Sequence, residues 1–130
     1  MESIARWLAS IAAIPMFSNG LTFLTSPDRT ASLLGLTTQE GLGRSTQIAD
    51  MAAFFICMAG FAWWGAWRRS PHLLYASGAL LLTAAMFRLV AALAHGAAFA
   101  GLFIAVEVVL GATFVGCGRT LQVSASRLQG

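Results

Sequence analysis

The sequence predicts an all-α protein, a four-helix transmembrane bundle with antiparallel up-down topology, on three observations. Of the 130 residues, 58% are hydrophobic and only 10% are charged, whereas a soluble domain carries about 25% charged residues. The mean hydropathy is +0.75. Four apolar stretches are each long enough to cross a bilayer core, which takes about 20 residues per helix. This composition excludes a disordered chain and an ordinary cytosolic enzyme, and it predicts one integral membrane domain over residues 1–130.

The four predicted helices are separated by short connections, except between the first and the second. They cover residues 4–24, 47–67, 72–94 and 97–118. The first stretch has Arg6 near its start, and its alternative interpretation is a cleaved signal peptide. We favour a retained helix, because no Ala-x-Ala cleavage pattern follows it and because the apolar pattern continues past Pro15 to Leu24.

The long connection, residues 25–46, contains the signals of a further short helix. A serine, a proline and an aspartate in succession predict a helix start at Pro27, and Gly35 predicts its end after Leu34. Because several of its residues are apolar, one interpretation is a lid that lies on the membrane surface over the outer end of the bundle. The other interpretation is a plain connector.

The distribution of arginine predicts the orientation of the chain. With four spans, the positive-inside rule places both termini in the cytoplasm. The predicted cytoplasmic side carries Arg6, Arg68, Arg69, Arg119 and Arg127. Three tryptophans, Trp63, Trp64 and Trp67, precede the basic turn at 68–71 and are interpreted as an aromatic belt at the same interface. Arginine without lysine, together with abundant alanine and glycine, is typical of a bacterial protein, so we expect the bacterial inner membrane.

Four charged residues lie inside the predicted spans, and Arg6 is close enough to a helix end to reach the head groups. The other three are Asp50, Arg88 and Glu107. Such a group near the bilayer centre costs about 2.5–3.5 kcal/mol on insertion scales, so it normally faces the bundle interior and finds a partner. At about 1.5 Å per residue, they lie roughly 5, 9 and 15 Å below the outer surface, respectively. Asn19 on the first helix lies at a similar level. These four residues are therefore predicted to form a polar cluster in the outer half of the bundle.

Two interpretations of this polar cluster stay open. In the first, a salt bridge between Arg88 and Glu107 fixes the register of two adjacent helices. In the second, the cluster is a site for a small or lipidic ligand, or a proton relay, in a narrow cavity lined by Phe54 and Phe103. Three ionisable groups exceed what one register clamp needs, and a surplus acid beside apolar walls is a functional candidate.

No motif indicates an enzyme, a metal or a cofactor. His72 and His95 lie at opposite ends of the third helix, so they cannot ligate one haem or one metal. Cys57 and Cys117 have no ligand spacing and are interpreted as small buried hydrophobes. The sequence has no nucleophile elbow, P-loop or dinucleotide fingerprint, and its arginines form no basic stripe for nucleic acid. We therefore predict no catalytic residue, no metal, no cofactor and no nucleic-acid partner.

Three short motifs resemble those of a bacterial family of four-helix membrane proteins. They are the run from Asp50 through Phe54-Phe55 to Trp67-Arg68-Arg69-Ser70-Pro71, then Phe87-Arg88-Leu89-Val90 through His95-Gly96, and then Val106-Glu107-Val108. The family is domain of unknown function 4345, which is similar in layout to DoxX-like proteins, and the resemblance covers residues 10–118. Phe87 stands where the family often has glycine, and His95 where it often has aspartate. The resemblance implies the fold and leaves the activity open.

The expected function is that of a non-enzymatic membrane protein whose polar cluster is structural or binds a small or lipidic ligand. One alternative is a proton-coupled small-molecule transporter of the size of the small multidrug pumps. Such pumps carry their essential glutamate in the first helix, where this chain has no acid. Another alternative, by DoxX-like analogy alone, is an accessory subunit of a membrane redox complex. The expected partners are the lipid bilayer and either a second copy of the chain or a larger membrane complex.

Overall fold

The computed structural model describes residues 1–127, and in that range every regular element is a helix. The helices are α1 (Glu2–Thr25), α2 (Pro27–Leu33), α3 (Gly41–Arg68), α4 (Pro71–His95) and α5 (Gly101–Arg127). Four of them, α1, α3, α4 and α5, are long and apolar enough to cross a membrane. The expected all-α class and the four candidate spans are therefore confirmed.

All four spans differ in their bounds from those expected, α1 and α4 by only one or two residues at each end. Helix α3 begins at Gly41 rather than at residue 47, because a helix can include polar residues that a search for apolar residues leaves out. Helix α5 begins at Gly101 rather than at residue 97, and it ends at Arg127 rather than at residue 118. Gly96, with a φ of 66°, ends α4 in the left-handed conformation, and residues 97–100 are not helical.

The short helix expected after Pro27 is present as α2. Proline at its first position suits a helix start, since the missing N–H would have no partner there. The side chain of Ser26 makes no capping hydrogen bond, but its carbonyl accepts hydrogen bonds from the Thr30 backbone (3.1 Å) and hydroxyl (3.0 Å). The helix ends before Gly35, whose φ of 71° favours glycine.

The chain forms two compact units, whose boundaries fall within α1 and α3. Unit 1 contains residues 1–12 and the chain from Phe61 onward. Unit 2 contains residues 13–60.

In unit 1, glycines bring the backbones of α4 and α5 close together. A Cβ atom on Gly78 would lie 2.8 Å from Val115 Cγ2 and 2.9 Å from the Gly111 carbonyl oxygen. A Cβ atom on Gly111 would lie 2.9 Å from Leu82 Cγ. No larger residue fits at these two positions without movement, and small residues are what membrane helices use at such contacts.

The contacts between α4 and α5 run along both helices. Near the start of α4, the Tyr75 hydroxyl donates a 2.7 Å hydrogen bond to Gln122 Oε1. Near its end, Arg88 contacts Glu107. Later residues of α4 therefore meet earlier residues of α5, and the buried side chains of Leu81 and other residues lie between these two contacts.

Also in unit 1, the first turns of α1 are joined to the last turns of α3. Arg6 Nε donates to the Ala66 carbonyl oxygen at 3.0 Å, and Trp63 Nε1 donates to the Ser10 carbonyl oxygen at 2.9 Å. The Ala66 carbonyl belongs to the last turn of α3, where carbonyl groups have no partner within the helix. Arg6 thus satisfies a group that the helix itself leaves unpaired.

The turn after α3 holds an arginine in an unusual conformation. Arg69 has a φ of 54°, and the next residue, Ser70, donates its N–H to the Gly65 carbonyl at 2.8 Å. This is a Schellman-type helix end with arginine where glycine is usual. Arg69 Nε lies 2.7 Å from Glu2 Oε1, which accepts no hydrogen bond in the described structure, so their contact is an ion pair.

Unit 2 has a small apolar core and a polar clasp. The rings of Phe23 and Phe55 stack at 6.3 Å, and Phe23 is fully buried with Ala31 of α2 beside it. Arg44 donates two hydrogen bonds of 3.0 Å to the Asp28 carboxylate. These bonds, with a further one from Thr38, hold the pKa of Asp28 below its usual value of 3.8. The clasp ties α2 to the start of α3.

Substitution of Gly78 by alanine is expected to destabilise the protein by about 1–3 kcal/mol, since the added methyl group must push α4 and α5 apart. Gly116→Ala is the matched control on α5, where an added Cβ meets nothing within 4 Å. Because alanine favours helix over glycine, the control should unfold at the same temperature or higher. Thermal unfolding in detergent measures both, and equal destabilisation by the two variants would contradict the close contact.

Acidification is expected to remove the contribution of the Asp28–Arg44 clasp to stability. The pKa of Asp28 is lower in the folded than in the unfolded chain, so the contribution of the clasp is fully present above the unfolded value, near 3.8, and is lost as the pH falls through the lower pKa of the folded chain. The wild type should therefore unfold at a higher temperature than Asp28→Asn at pH 6, and the difference should shrink steadily as the pH is lowered below 3.8. A difference that does not shrink on acidification would show that the charge of Asp28 is not its cause.

Candidate functional site

Arg88 on α4 and Glu107 on α5 form an ion pair in unit 1. Arg88 Nε lies 2.9 Å from Glu107 Oε1 and 3.1 Å from Oε2, so one N–H is shared between both carboxylate oxygens. The Glu107 side chain is 14% exposed, whereas that of Arg88 is 37% exposed. The expected salt bridge between these two helices is therefore present, with its carboxylate better shielded than its guanidinium.

An aromatic ring completes this site. The Arg88 Cζ atom lies 5.1 Å from the ring centroid of Phe103, a distance at which a cation interacts favourably with the ring face. Phe103 and Glu107 are four residues apart on α5, so both lie on the same side of the helix. This spacing places the anionic and the aromatic partner of Arg88 side by side.

The helix bounds explain why Arg88 reaches Glu107 directly. Arg88 lies about 10 Å before the end of α4, and Glu107 about 9 Å after the start of α5. The two residues are thus level, whereas the expected bounds placed Glu107 deeper than Arg88. The difference arises because α5 begins at Gly101, four residues after the expected start at Ala97.

Part of the Arg88 guanidinium stays available for another partner. Within residues 1–127, its only hydrogen bonds are those of Nε to Glu107. Its two terminal nitrogens, Nη1 and Nη2, therefore have no protein partner there, and neither is buried. An arginine that only clamps a carboxylate normally binds it through two parallel N–H groups. Here only the Nε–H group binds Glu107, so the N–H groups of Nη1 and Nη2 remain available as donors.

The remaining residues of the predicted polar cluster lie in unit 2. Asp50 on α3 is exposed and forms no ion pair with another described residue, and Asn19 on α1 is half-buried. Phe54, predicted to line the cavity, packs edge-on against Phe55 at 5.4 Å. The structure thus brings together Arg88, Glu107 and Phe103. That Asp50 and Asn19 join them stays a prediction.

Unit 1 also contains a groove that the sequence analysis did not identify. Its volume is about 400 Å³, and it runs between the start of α1 and the middle of α5. It is lined by Met1, Ile4, Ala5, Leu8, Thr113, Gly116, Cys117 and Thr120. The signal in the sequence is the run of small residues on α5.

The cysteines and the acidic groups bear on metal binding. The described residues contain no group of three or more His, Cys, Asp or Glu side chains placed to hold a metal ion.

Cys117 is buried, as expected, but Cys57 is exposed, so the expectation that both are buried was wrong. In a candidate membrane span, apolar surroundings do not distinguish a residue that faces lipid from one that faces the protein.

Comparison with family models, with curated proteins and with solved structures yields no match for this chain. The resemblance to domain of unknown function 4345 therefore stays an expectation that rests on the three motifs described above.

Replacement of Arg88 by leucine should destabilise the protein, because it leaves the shielded Glu107 carboxylate without its counter-charge. We expect about 1–2 kcal/mol, between the values for exposed and for buried pairs, since Arg88 is partly exposed. The double variant Arg88→Leu/Glu107→Leu should recover part of this loss. Thermal unfolding of the four proteins in a double-mutant cycle measures the coupling, and additive effects would contradict a direct interaction.

Proposed function

We propose that this chain is a non-enzymatic multi-pass membrane protein that binds the anionic group of a small or lipidic ligand at Arg88. Glu107 holds the guanidinium through Nε, and Phe103 contacts it from the side. The ligand then accepts hydrogen bonds from the two terminal nitrogens. The single observation that supports this proposal is that both terminal nitrogens lack a protein partner among the described residues.

The low water content of a membrane interior makes a site of this kind selective for anionic ligands. In an apolar environment an unpaired guanidinium nitrogen is costly, so an anionic group that supplies acceptors binds more strongly there than in water. Glu107 already balances one charge, which keeps the empty site near neutrality. The site therefore favours a ligand that combines an acidic headgroup with an apolar body.

We further propose the membrane topology in which the site works. The four long helices form an antiparallel up-down bundle in the bacterial inner membrane, with both termini in the cytoplasm. The contacts of Arg6 with Ala66 and of Arg69 with Glu2 support the placement of three arginines, Arg6, Arg68 and Arg69, at one end of the bundle. The hydrogen bond from Arg6 to the Ala66 carbonyl supports a retained first helix, because loss of α1 would remove the donor that this carbonyl contacts.

No specific observation favours either of the two alternative functions. In a proton-coupled transporter, Glu107 would have to release Arg88 in each cycle, and the contact of Nε with both of its oxygens disfavours that release. For an accessory redox subunit, the support remains analogy of layout. Ligand binding at Arg88 is thus the function that the geometry supports best.

Addition of laurate to the protein in a neutral detergent should raise its unfolding temperature more than addition of dodecanol. The two probes share an apolar chain, and only laurate carries an anionic group that Arg88 can bind. Arg88→Gln should abolish the difference between the probes. Thermal unfolding followed by circular dichroism measures it.

The matched control for this experiment is Arg29→Gln, which removes the same charge from the exposed surface of α2. It should keep the wild-type difference between laurate and dodecanol. An equal response of the wild type to both probes would refute the proposal. A difference that survives in Arg88→Gln would place anion binding elsewhere and would leave the Arg88–Glu107 pair as a register clamp.

A further inference from the structure

A second surface of unit 1 combines exposed tryptophan with arginine. Trp7, Trp64 and Trp67 are 57%, 61% and 50% exposed, although tryptophan is on average among the well-buried residues. Arg6 and Arg68 lie among them. These five residues, from the start of α1 and the end of α3, are called the Trp–Arg surface below.

Direct contacts hold the Trp–Arg surface together. The Cζ atom of Arg6 lies 4.8 Å from the ring centroid of Trp67, and that of Arg68 lies 5.3 Å from the ring centroid of Trp64. Trp7 meets Trp67 edge-on, with 5.4 Å between ring centroids. Trp7 was not part of the expected aromatic belt, because the sequence separates it widely from the other tryptophans.

These contacts leave the edges of both guanidinium groups available. The Cζ atom of each group lies over an indole ring, and a guanidinium in this position can still donate hydrogen bonds to a phosphate. Arg6 uses only Nε, for the Ala66 carbonyl. The Arg68 side chain donates no hydrogen bond to another residue within 1–127 and is exposed. Both arginines therefore keep N–H donors that no described residue accepts.

The charge of this end of unit 1 is positive. Glu2 is its nearest acid, and it is already paired with Arg69. Arg119 adds a further positive charge at this end, because the neighbouring Gly118 approaches the Pro71 carbonyl at the start of α4. The surface is thus complementary to an anionic partner.

We propose that the Trp–Arg surface binds the headgroups of anionic phospholipids at the membrane–water interface. Indole rings prefer the headgroup level of a bilayer, and arginine donates bidentate hydrogen bonds to phosphate. Anionic lipids are attracted by about 1 kcal/mol per arginine near the surface. This inference concerns the end of α3 and does not depend on ligand binding at Arg88.

The fluorescence of the tryptophans provides a measurement of lipid binding at the Trp–Arg surface. The chain has four tryptophans, Trp7, Trp63, Trp64 and Trp67, so intrinsic fluorescence reports on the Trp–Arg surface and its neighbour Trp63. The protein is reconstituted in vesicles in which brominated phosphatidylglycerol or brominated phosphatidylcholine quenches this fluorescence. Competition between the brominated and the unlabelled lipids yields the relative affinity for the anionic lipid. We expect the wild type to prefer phosphatidylglycerol.

Arg68→Gln should reduce this preference about fivefold, the factor that corresponds to about 1 kcal/mol for one arginine. Arg68→Lys, which keeps the charge, should retain most of it. Arg29→Gln, which removes an arginine from α2, should not change it. Raising the salt concentration should weaken the preference, because the surface is exposed to solvent ions.

Two results would overturn the proposal. One is equal quenching of the wild type by the two brominated lipids, which would show that the surface is only an aromatic anchor. The other is a preference that Arg68→Gln retains, or that Arg29→Gln reduces to the same extent, because the charge of the whole chain would then be its source.

Discussion

A polar group that leaves water must find a partner inside the protein, and this constraint governs most of the side-chain contacts in the structure. The hydroxyl groups of Ser10 and Thr113 donate to carbonyls one turn earlier in their own helices. Arg6 donates to a carbonyl at the end of α3, where the helix supplies no donor. The Arg88–Glu107 pair follows the same rule for charges.

The candidate site depends on how closely α4 and α5 pack. Gly78 and Gly111 allow the backbones to approach, and Leu82 packs against Gly111 in the next turn of α4. This contact sets the register in which Arg88 meets Glu107. A helix pair with larger residues at the two glycine positions would separate the charges, so the packing of small residues and the ion pair support each other.

Much of this arrangement could be predicted from the sequence, though not all of it. Pro27 and Gly35 predicted α2 because they act through the backbone of their own segment. Pairing of Arg88 with Glu107 was predictable because few charges are available in apolar surroundings. The first residue of α5 was not, since the residues from Ala97 to Ala100 are as apolar as the helix that follows. Likewise, the exposure of Cys57 depends on which side of α3 meets other helices.

The sequence by itself determined the helical class, the four candidate spans and the short α2. These depend on composition and on signals within a few residues. Only the tertiary structure decided that one N–H of Arg88 serves both oxygens of Glu107, and that Trp7 meets Trp67 across a gap of more than fifty residues. Such contacts depend on helix register and rotation, which are set by close packing, and a pattern of apolar residues in a membrane does not specify either one.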